Sequence, residues 1–424
     1  MSNAAVSSSV PEPSRGRIAS MDQFRGYCVA GMFVVNFLGG LDVTHQILKH
    51  NNTHFSWADS IMPGFLFACG FSYRLSVARK VTVNGRWPTW QGIIRRSLGL
   101  VLASLVLYGL GSSFKTWEAM DAVGIRGFVA ELLKADLWEV LAIIGVTQLL
   151  LLPVIEASSK VRLMAAVFCS VAHIALSWWF NHAFVYGQPN VMDEWWGAAG
   201  RRAWDGGFFG IVSWAVPMLV GTLVYDLMMN RPTSRASRSL LQWGSALMLL
   251  GYAASCLTTL YDVRDSNQVP VAAAADDKFA IDPVLPPLKN ASGRPWNTLL
   301  AEPPFVVPPE ADARKKNYWM MDKRVVTQSF VWFSTGFTCF TYGFFVLACD
   351  GGNKRSRLFT VFGQNALIAY VIHHPVAEMV LSVVPDDSPT WWVTIGFVIF
   401  FAITWLFVGW FTNLTGQRSR SASR

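Results

Sequence analysis

Residues 20–76 read SMDQFRGYCVAGMFVVNFLGGLDVTHQILKHNNTHFSWADSIMPGFLFACGFSYRLS. Two apolar runs of membrane length enclose a short connection that carries His45, His50 and His54. Asn36 sits inside the first run and Asp59 opens the second. A bilayer core needs ~20 consecutive apolar residues to cross it as a helix, and a membrane interior tolerates only backbone that bonds to itself. This stretch therefore reads as two transmembrane helices. Polar and titratable groups at such a boundary are costly unless paired or hydrated, so the cluster marks a candidate functional site.

The rest of the chain has the same character. Hydrophobic residues make up 52% of the 424 residues and charged residues 15%, a balance that excludes an ordinary soluble domain. Nineteen Trp and 29 Phe suit a helix bundle with interfacial aromatic anchors. The net charge of +8 does not indicate a nucleic-acid partner, because the basic residues concentrate in short connections on one side. Cys28, Cys69, Cys169, Cys256, Cys339 and Cys349 lie in or beside apolar spans without CxxC spacing, which argues against a disulfide framework or a zinc site.

Apolar runs of sufficient length number about ten: 22–40, 59–78, 92–112, 138–156, 161–180, 207–228, 240–261, 328–349, 358–380 and 390–412. The mixed segment 124–137 reads as an interfacial or re-entrant helix. Alternate connections hold most of the Lys and Arg, including Arg79, Lys80, Arg86, Arg95, Arg96, Arg231, Arg235 and Lys354. By the positive-inside rule these are cytoplasmic, and an even span count puts both termini there. The expected fold is thus all-α, a polytopic membrane bundle. It divides into a Ser/Pro-rich tail (1–20), a first bundle of seven helices (21–261) with the site loop 41–58, a Pro-rich excursion (262–327), three last helices (328–412) and a basic tail (413–424). The excursion reads either as an ordered outer lid or as a disordered spacer, since its Pro runs favour extended chain.

This topology gathers polar residues at the outer face. Asn36 lies near the outer end of the first helix, Asp59 starts the second, and His50 and His54 hang between them. The ninth span brings Asn365 near its middle and His373 and His374 into its outer half. A base, a carboxylate that orients it and amide donors make a plausible acyl-transfer site. Each residue also has a simpler reading. Asn36 serves as well for an interhelical hydrogen bond, Asp59 for a helix N-cap, and a loop histidine for a solvated group. Glu139, Asp193, Glu194 and Asp205 fall at outer helix ends, either as solvated caps or as contacts to an amine or sugar hydroxyls. Arg74 reads as snorkelling to the inner interface, and Gly39-Gly40 as a C-terminal glycine stop for the first helix. His373-His374 has no acidic or Cys partner at metal-site spacing, and no metal is expected. No Walker-type or dinucleotide glycine motif occurs. The basic inner segment Arg79–Arg96, with Arg95 and Arg96 at its end, either sets topology or holds a phosphate carrier such as coenzyme A.

Four motifs in order resemble the heparan-α-glucosaminide N-acetyltransferase family and its bacterial relatives. MDQFRG followed by VVNFLGG is similar to the family's D-x-F-R-G … V-N-x-x-G opening. His50, then Ala58-Asp59 and Pro63-Gly-Phe65-Leu-Phe67-Ala-Cys-Gly70, resemble its histidine loop and the x-x-P-x-F-x-F-x-x-G run after it. Lys323-Arg324 through Ser329 to Gly336, and Gly363-Gln-Asn365 through Tyr370 to His373, resemble two later segments. The resemblance implies that His50 is the catalytic histidine, with Asp59 and Asn36 as its partners. It implies acetyl transfer from cytosolic acetyl-CoA to an amino sugar across the membrane. Under this reading Arg95, Arg96 and Asn365 belong to the acetyl-CoA side, and His54 and His373 to the acceptor side.

Three departures stand out. The loop from Asn36 to His50 is longer than the family pattern and the stretch to Asp59 one residue shorter, which leaves His45 or His54 as alternatives to His50. Asn52-Thr53 replaces a Trp. The family's G-V-L-Q-R appears here as Glu139-Val-Leu-Ala142-Ile143, which puts acceptor identity and CoA use in question. The expected function is a membrane acetyltransferase of a divergent branch of that family; the alternatives are an O-acyltransferase of an envelope polysaccharide and a solute transporter without acyl chemistry. Expected partners are the bilayer, a small-molecule or glycan acceptor and, left open, a second copy of the chain; the expected location is a bacterial inner membrane.

Overall fold

The computed structural model describes residues 18–109, 116–197, 200–267, 269–308 and 311–421; most of the predicted tail 1–20 lies outside them. The helices are α1 (Ala19–Leu38), α2 (Ile61–Asn84), α3 (Arg86–Tyr108), α4 (Trp117–Glu131), α5 (Val140–Leu151), α6 (Ser159–Leu176), α7 (His182–Tyr186) and α8 (Val191–Trp196). They continue with α9 (Gly207–Asn230), α10 (Thr233–Ser255), α11 (Gln328–Phe345), α12 (Arg357–Gln364), α13 (Ala366–Leu381) and α14 (Thr390–Ser421). The bundle is all-α, and among the described residues only isolated β-bridges occur.

Among the described residues, seven helical stretches are long and apolar enough to cross a membrane: Ala58–Asn84, Arg86–Tyr108, Ser159–Tyr186, Gly207–Asn230, Thr233–Tyr261, Gln328–Gly351 and Thr390–Leu414. Three of the ten expected spans differ, each for a visible reason. Helix α1 carries Asp22, Gln23, Arg25 and Asn36, so its composition is mixed although it lies deep in the bundle with Phe24, Phe33 and Phe37 buried. Helix α5 is shorter than expected, because Pro153 follows its last turn and Glu139 before it is extended (φ −89°, ψ 162°). The expected 358–380 helix is broken at Asn365 (φ −126°, ψ 39°) into α12 and α13.

Helix α2 is held between α1 and α9. A Cβ on Gly70 would lie 1.9 Å from the carbonyl oxygen of Met218, and one on Gly221 would lie 2.1 Å from that of Phe67. Backbone meets backbone there, as small residues permit between membrane helices. Further along α2, Arg74, expected to snorkel, is held by protein groups. Its Nε lies 3.2 Å from Asp226 Oδ1 and its Nη1 donates to the carbonyl of Ile155 at 2.7 Å. Arg162 also pairs with Asp226.

Over its described residues the 262–327 segment makes a few short pairings and contacts to the bundle. Asp262 bridges to Arg314 and Phe279 to Lys316 in short pairings, and Arg314 forms a bidentate pair with Glu302 at 2.7 and 3.0 Å. Phe305 N–H donates to the Phe55 carbonyl at 2.8 Å, and its ring packs on Phe55 and Phe333. The excursion thus ties the loop after α1 to α11. Helix α14 runs on to Ser421, into the segment expected as a basic tail from 413.

Candidate active site

The loop between α1 and α2 is built to present His50. Gly39 ends α1 as expected, in a right-handed conformation (φ −60°). Leu41 is buried, and Asp42 N–H donates to the Asp386 carbonyl at 2.8 Å, which anchors the loop to the far end of the chain. Ser56 Oγ donates to the Lys49 carbonyl at 2.8 Å, next to His50.

Asp59 sits in a single 3₁₀ turn (Ala58–Ser60) that leads into α2 and is 1% exposed. Its Oδ2 accepts from Ser56 N–H (3.1 Å) and lies 2.8 Å from Ser56 Oγ. Its Oδ1 lies 2.8 Å from His50 Nδ1. The carboxylate therefore caps the turn before it rather than the first amides of α2. A carboxylate only accepts, so His50 Nδ1 carries the hydrogen and Nε2 is the basic nitrogen. The His50 side chain is 32% exposed and lines a cavity of ≈ 370 Å³.

Asn36 lines the same cavity and is held from behind. Its Nδ2 lies 3.0 Å from His373 Nε2, while His373 Nδ1 bonds to the Tyr370 carbonyl. Because that carbonyl can only accept, Nδ1 is protonated and Nε2 accepts from Asn36. One amide hydrogen of Asn36 remains for a ligand. His373 is 1% exposed and does not line the cavity, so it positions Asn36 instead of touching an acceptor. Its neighbour His374 does line the cavity, as does Tyr370. Tyr370 and His374 are four residues apart and share a helix face, a 3.6-residue spacing that distinguishes His374 from His373 in the sequence.

His54 is buried away from this site. It lines a small cavity with Glu302 and Arg314 under the excursion, and its Nδ1 lies 3.1 Å from Thr53 Oγ1. Burial lowers its pKa, against the opposing pull of Asp59 and Glu302. His45 is exposed, and its Nδ1 accepts from Ile47 N–H at 3.2 Å. Of the three loop histidines, His50 alone is paired to the aspartate and faces the cavity.

The remaining lining was only partly foreseen. Glu139 and Asp205 enter it, whereas Asp193 pairs with Lys134 and Glu194 is exposed. Lys323 Nζ lies 3.3 Å from Asp205 Oδ1 and 5.4 Å from the centre of the Trp204 ring. Trp204 and Tyr108 carried no sequence signal, because an isolated aromatic at a helix end looks like an interfacial anchor.

A second cavity of ≈ 410 Å³ lies toward the other end of the bundle and includes Arg25, Lys80, Arg96 and the break at Gln364–Ala366. Phe65 and Tyr370 line both cavities, so the two meet at those side chains. Along α1, Arg25 and Asn36 are separated by about 16 Å of helix rise. Arg25 is already engaged with Ser72 Oγ and the Gly363 carbonyl. Asn365 Nδ2 donates to Thr412 Oγ1 at 2.7 Å, which pins the break to α14, and the first residues of α13, Ala366 to Ile368, line the cavity. Arg96 lines this cavity, while Arg95 is exposed and does not.

The catalytic-domain family model for heparan-alpha-glucosaminide N-acetyltransferase matches residues 17–257. That span holds Asn36, His50, Asp59 and Glu139; the break at Asn365 and His373 lie beyond it. No curated protein matches the chain. The match covers more than half of the chain and contains the His50–Asp59 pair, and the chain belongs to the heparan-α-glucosaminide N-acetyltransferase family, an integral membrane acetyltransferase by its fold and its catalytic domain.

Proposed function

We propose that the chain transfers an acetyl group from acetyl-CoA, entering from the cytoplasm, to an extracytoplasmic amino sugar or related acceptor. The observation that carries this reading is the junction of the two cavities at Phe65 and Tyr370, with His50 on one side and basic residues on the other. Acetyl-CoA presents phosphates at one end and a thioester at the other, and the two cavities offer matching chemistry. Lys80, Arg96 and the amides that open α13 suit phosphates, since a helix N-terminus favours anions. The apolar wall of Phe65, Ile93, Leu100 and Leu141 suits the linker between them.

In this reading His50 Nε2 takes the proton from the attacking acceptor nitrogen. Asp59 keeps Nδ1 protonated and stabilises the imidazolium that forms. Asn36 donates its free amide hydrogen to the developing oxyanion, where one such donor is typically worth about 3 kcal/mol. Ten crossings, with both termini cytoplasmic and the site facing outward, are part of the same proposal, as is a bacterial inner membrane.

The test uses full-length protein in nanodiscs with isotope-labelled acetyl-CoA, with and without glucosamine, comparing wild type with His50→Ala. His50-dependent label on the amine is expected. Absence of acetyl-CoA turnover across a broad acceptor panel would remove the reading.

A further inference from the structure

The outer cavity contains three ionised side chains besides the histidines, and two of them cancel. Lys323 is paired with Asp205, which is 4% exposed. Asp205 is fixed in place: its backbone takes a left-handed φ of 50°, and its carbonyl accepts from Trp214 Nε1 at 3.0 Å. Asp59 is already engaged by His50 and Ser56, and Glu378 by His374 at 3.2 Å. Glu139 remains. It stands just before α5, half-buried, lines the cavity beside Val140, and makes no side-chain hydrogen bond or ion pair among the described residues.

An unpaired carboxylate withdrawn from water is expensive, and the cost is relieved by a proton or by a cation. With Lys323 neutralised by Asp205, the cavity has no positive charge left to offer Glu139. We propose that Glu139 is the acceptor-selecting residue: it binds the ammonium of a primary amine and removes its first proton, so the acceptor enters as a cation. This deepens the acetyl-transfer reading and rests on it for its chemical step, though not for binding.

The step balances as follows. The ammonium gives one proton to the Glu139 carboxylate and becomes a neutral amine. That amine forms the N–C bond to the acetyl carbonyl while His50 Nε2 takes its second proton. The C–S bond breaks, and the imidazolium protonates the departing thiolate. The charged and titratable groups that face Glu139 across the cavity are His50, Asp205, Lys323, His374, Tyr108 and Tyr370. The same charge disfavours a carboxylate or sulfate on the acceptor next to the amine.

The experiment compares wild type, Glu139→Gln and Glu139→Asp as full-length protein in nanodiscs. Calorimetric titration with glucosamine and with glucose reads recognition of charge without any turnover. Wild type should prefer glucosamine by about 10-fold or more near neutral pH; Glu139→Gln should lose the preference and Glu139→Asp recover part of it. The same proteins are then assayed for acetyl transfer to glucosamine, with His50→Ala as control. In Glu139→Gln, the amine KM should rise at least about 10-fold, with kcat at saturating amine much less affected than in His50→Ala. An unchanged glucosamine preference in Glu139→Gln, or an unchanged amine KM with transfer intact, overturns the inference and leaves the acetyltransferase reading standing. A Glu139-dependent preference without acetyl transfer does the opposite.

Discussion

Replacing Asp59 by Asn changes the chemistry of the site with little change of shape. Ser56 N–H donates to Oδ2, so an Asn carboxamide that put its NH₂ there would set two donors against each other in a buried place. The amide must therefore turn its oxygen to Ser56 and its Nδ2 to His50 Nδ1, which is 2.8 Å from Oδ1 in the wild type. His50 Nδ1 then becomes the acceptor, the ring hydrogen moves to Nε2, and the nitrogen that faces the cavity can no longer take a proton. Enforcing the wrong tautomer in this way costs about 10⁴ in kcat in the histidine–aspartate pair of a serine protease, ~5 kcal/mol of transition-state stabilisation. Loss of about 10³–10⁴ in kcat is expected here, with KM values and thermal unfolding close to wild type. The assay is labelled acetyl transfer in nanodiscs, with intact folding checked by unfolding in the same preparation. An Asp59→Asn protein whose kcat stays within about tenfold of wild type would refute the tautomer argument and reduce Asp59 to a cap.

Two further outcomes follow from other parts of the molecule. Arg96→Ala should raise the KM for acetyl-CoA about tenfold with little effect on the acceptor KM, which steady-state kinetics at fixed salt would resolve; an unchanged acetyl-CoA KM would move the phosphates elsewhere. Gly70→Ala forces a Cβ to within 1.9 Å of the Met218 carbonyl oxygen and should destabilise the α2–α9 contact by about 1–3 kcal/mol, seen as a lower unfolding temperature.

How much of the site was legible depended on whether a residue's role is local. His50 and Asp59 are nine positions apart in one connection, and the same short stretch that named them also closes their hydrogen bond. Asn36 was legible as a polar group that a membrane helix would not keep without a partner; its partner was not, because His373 lies 337 residues further along and only packing brings α1 and α13 together. His54 looked equivalent to His50 in the sequence. The excursion decides between them, since Phe305 against Phe55 draws that end of the loop under Glu302 and Arg314 and away from the cavity. The same limit applies to Glu139, which reads as a helix cap until α5, the turn before α9 and Lys323 converge on one cavity.

Hydrophobic run length and the scarcity of charge determined, from the sequence by itself, that this is an all-α membrane bundle. A lipid interior leaves apolar chain no other backbone solution than helices or a closed barrel, and runs this long are helical. Motif order determined its family. Tertiary structure decided which polar groups face each other, which of them are spent on one another, and which are left for a ligand. The physical reason is that apolar burial is non-directional and follows composition, whereas pairing of charges and hydrogen bonds is set by distances of about 3 Å between residues that only the packed helices bring together.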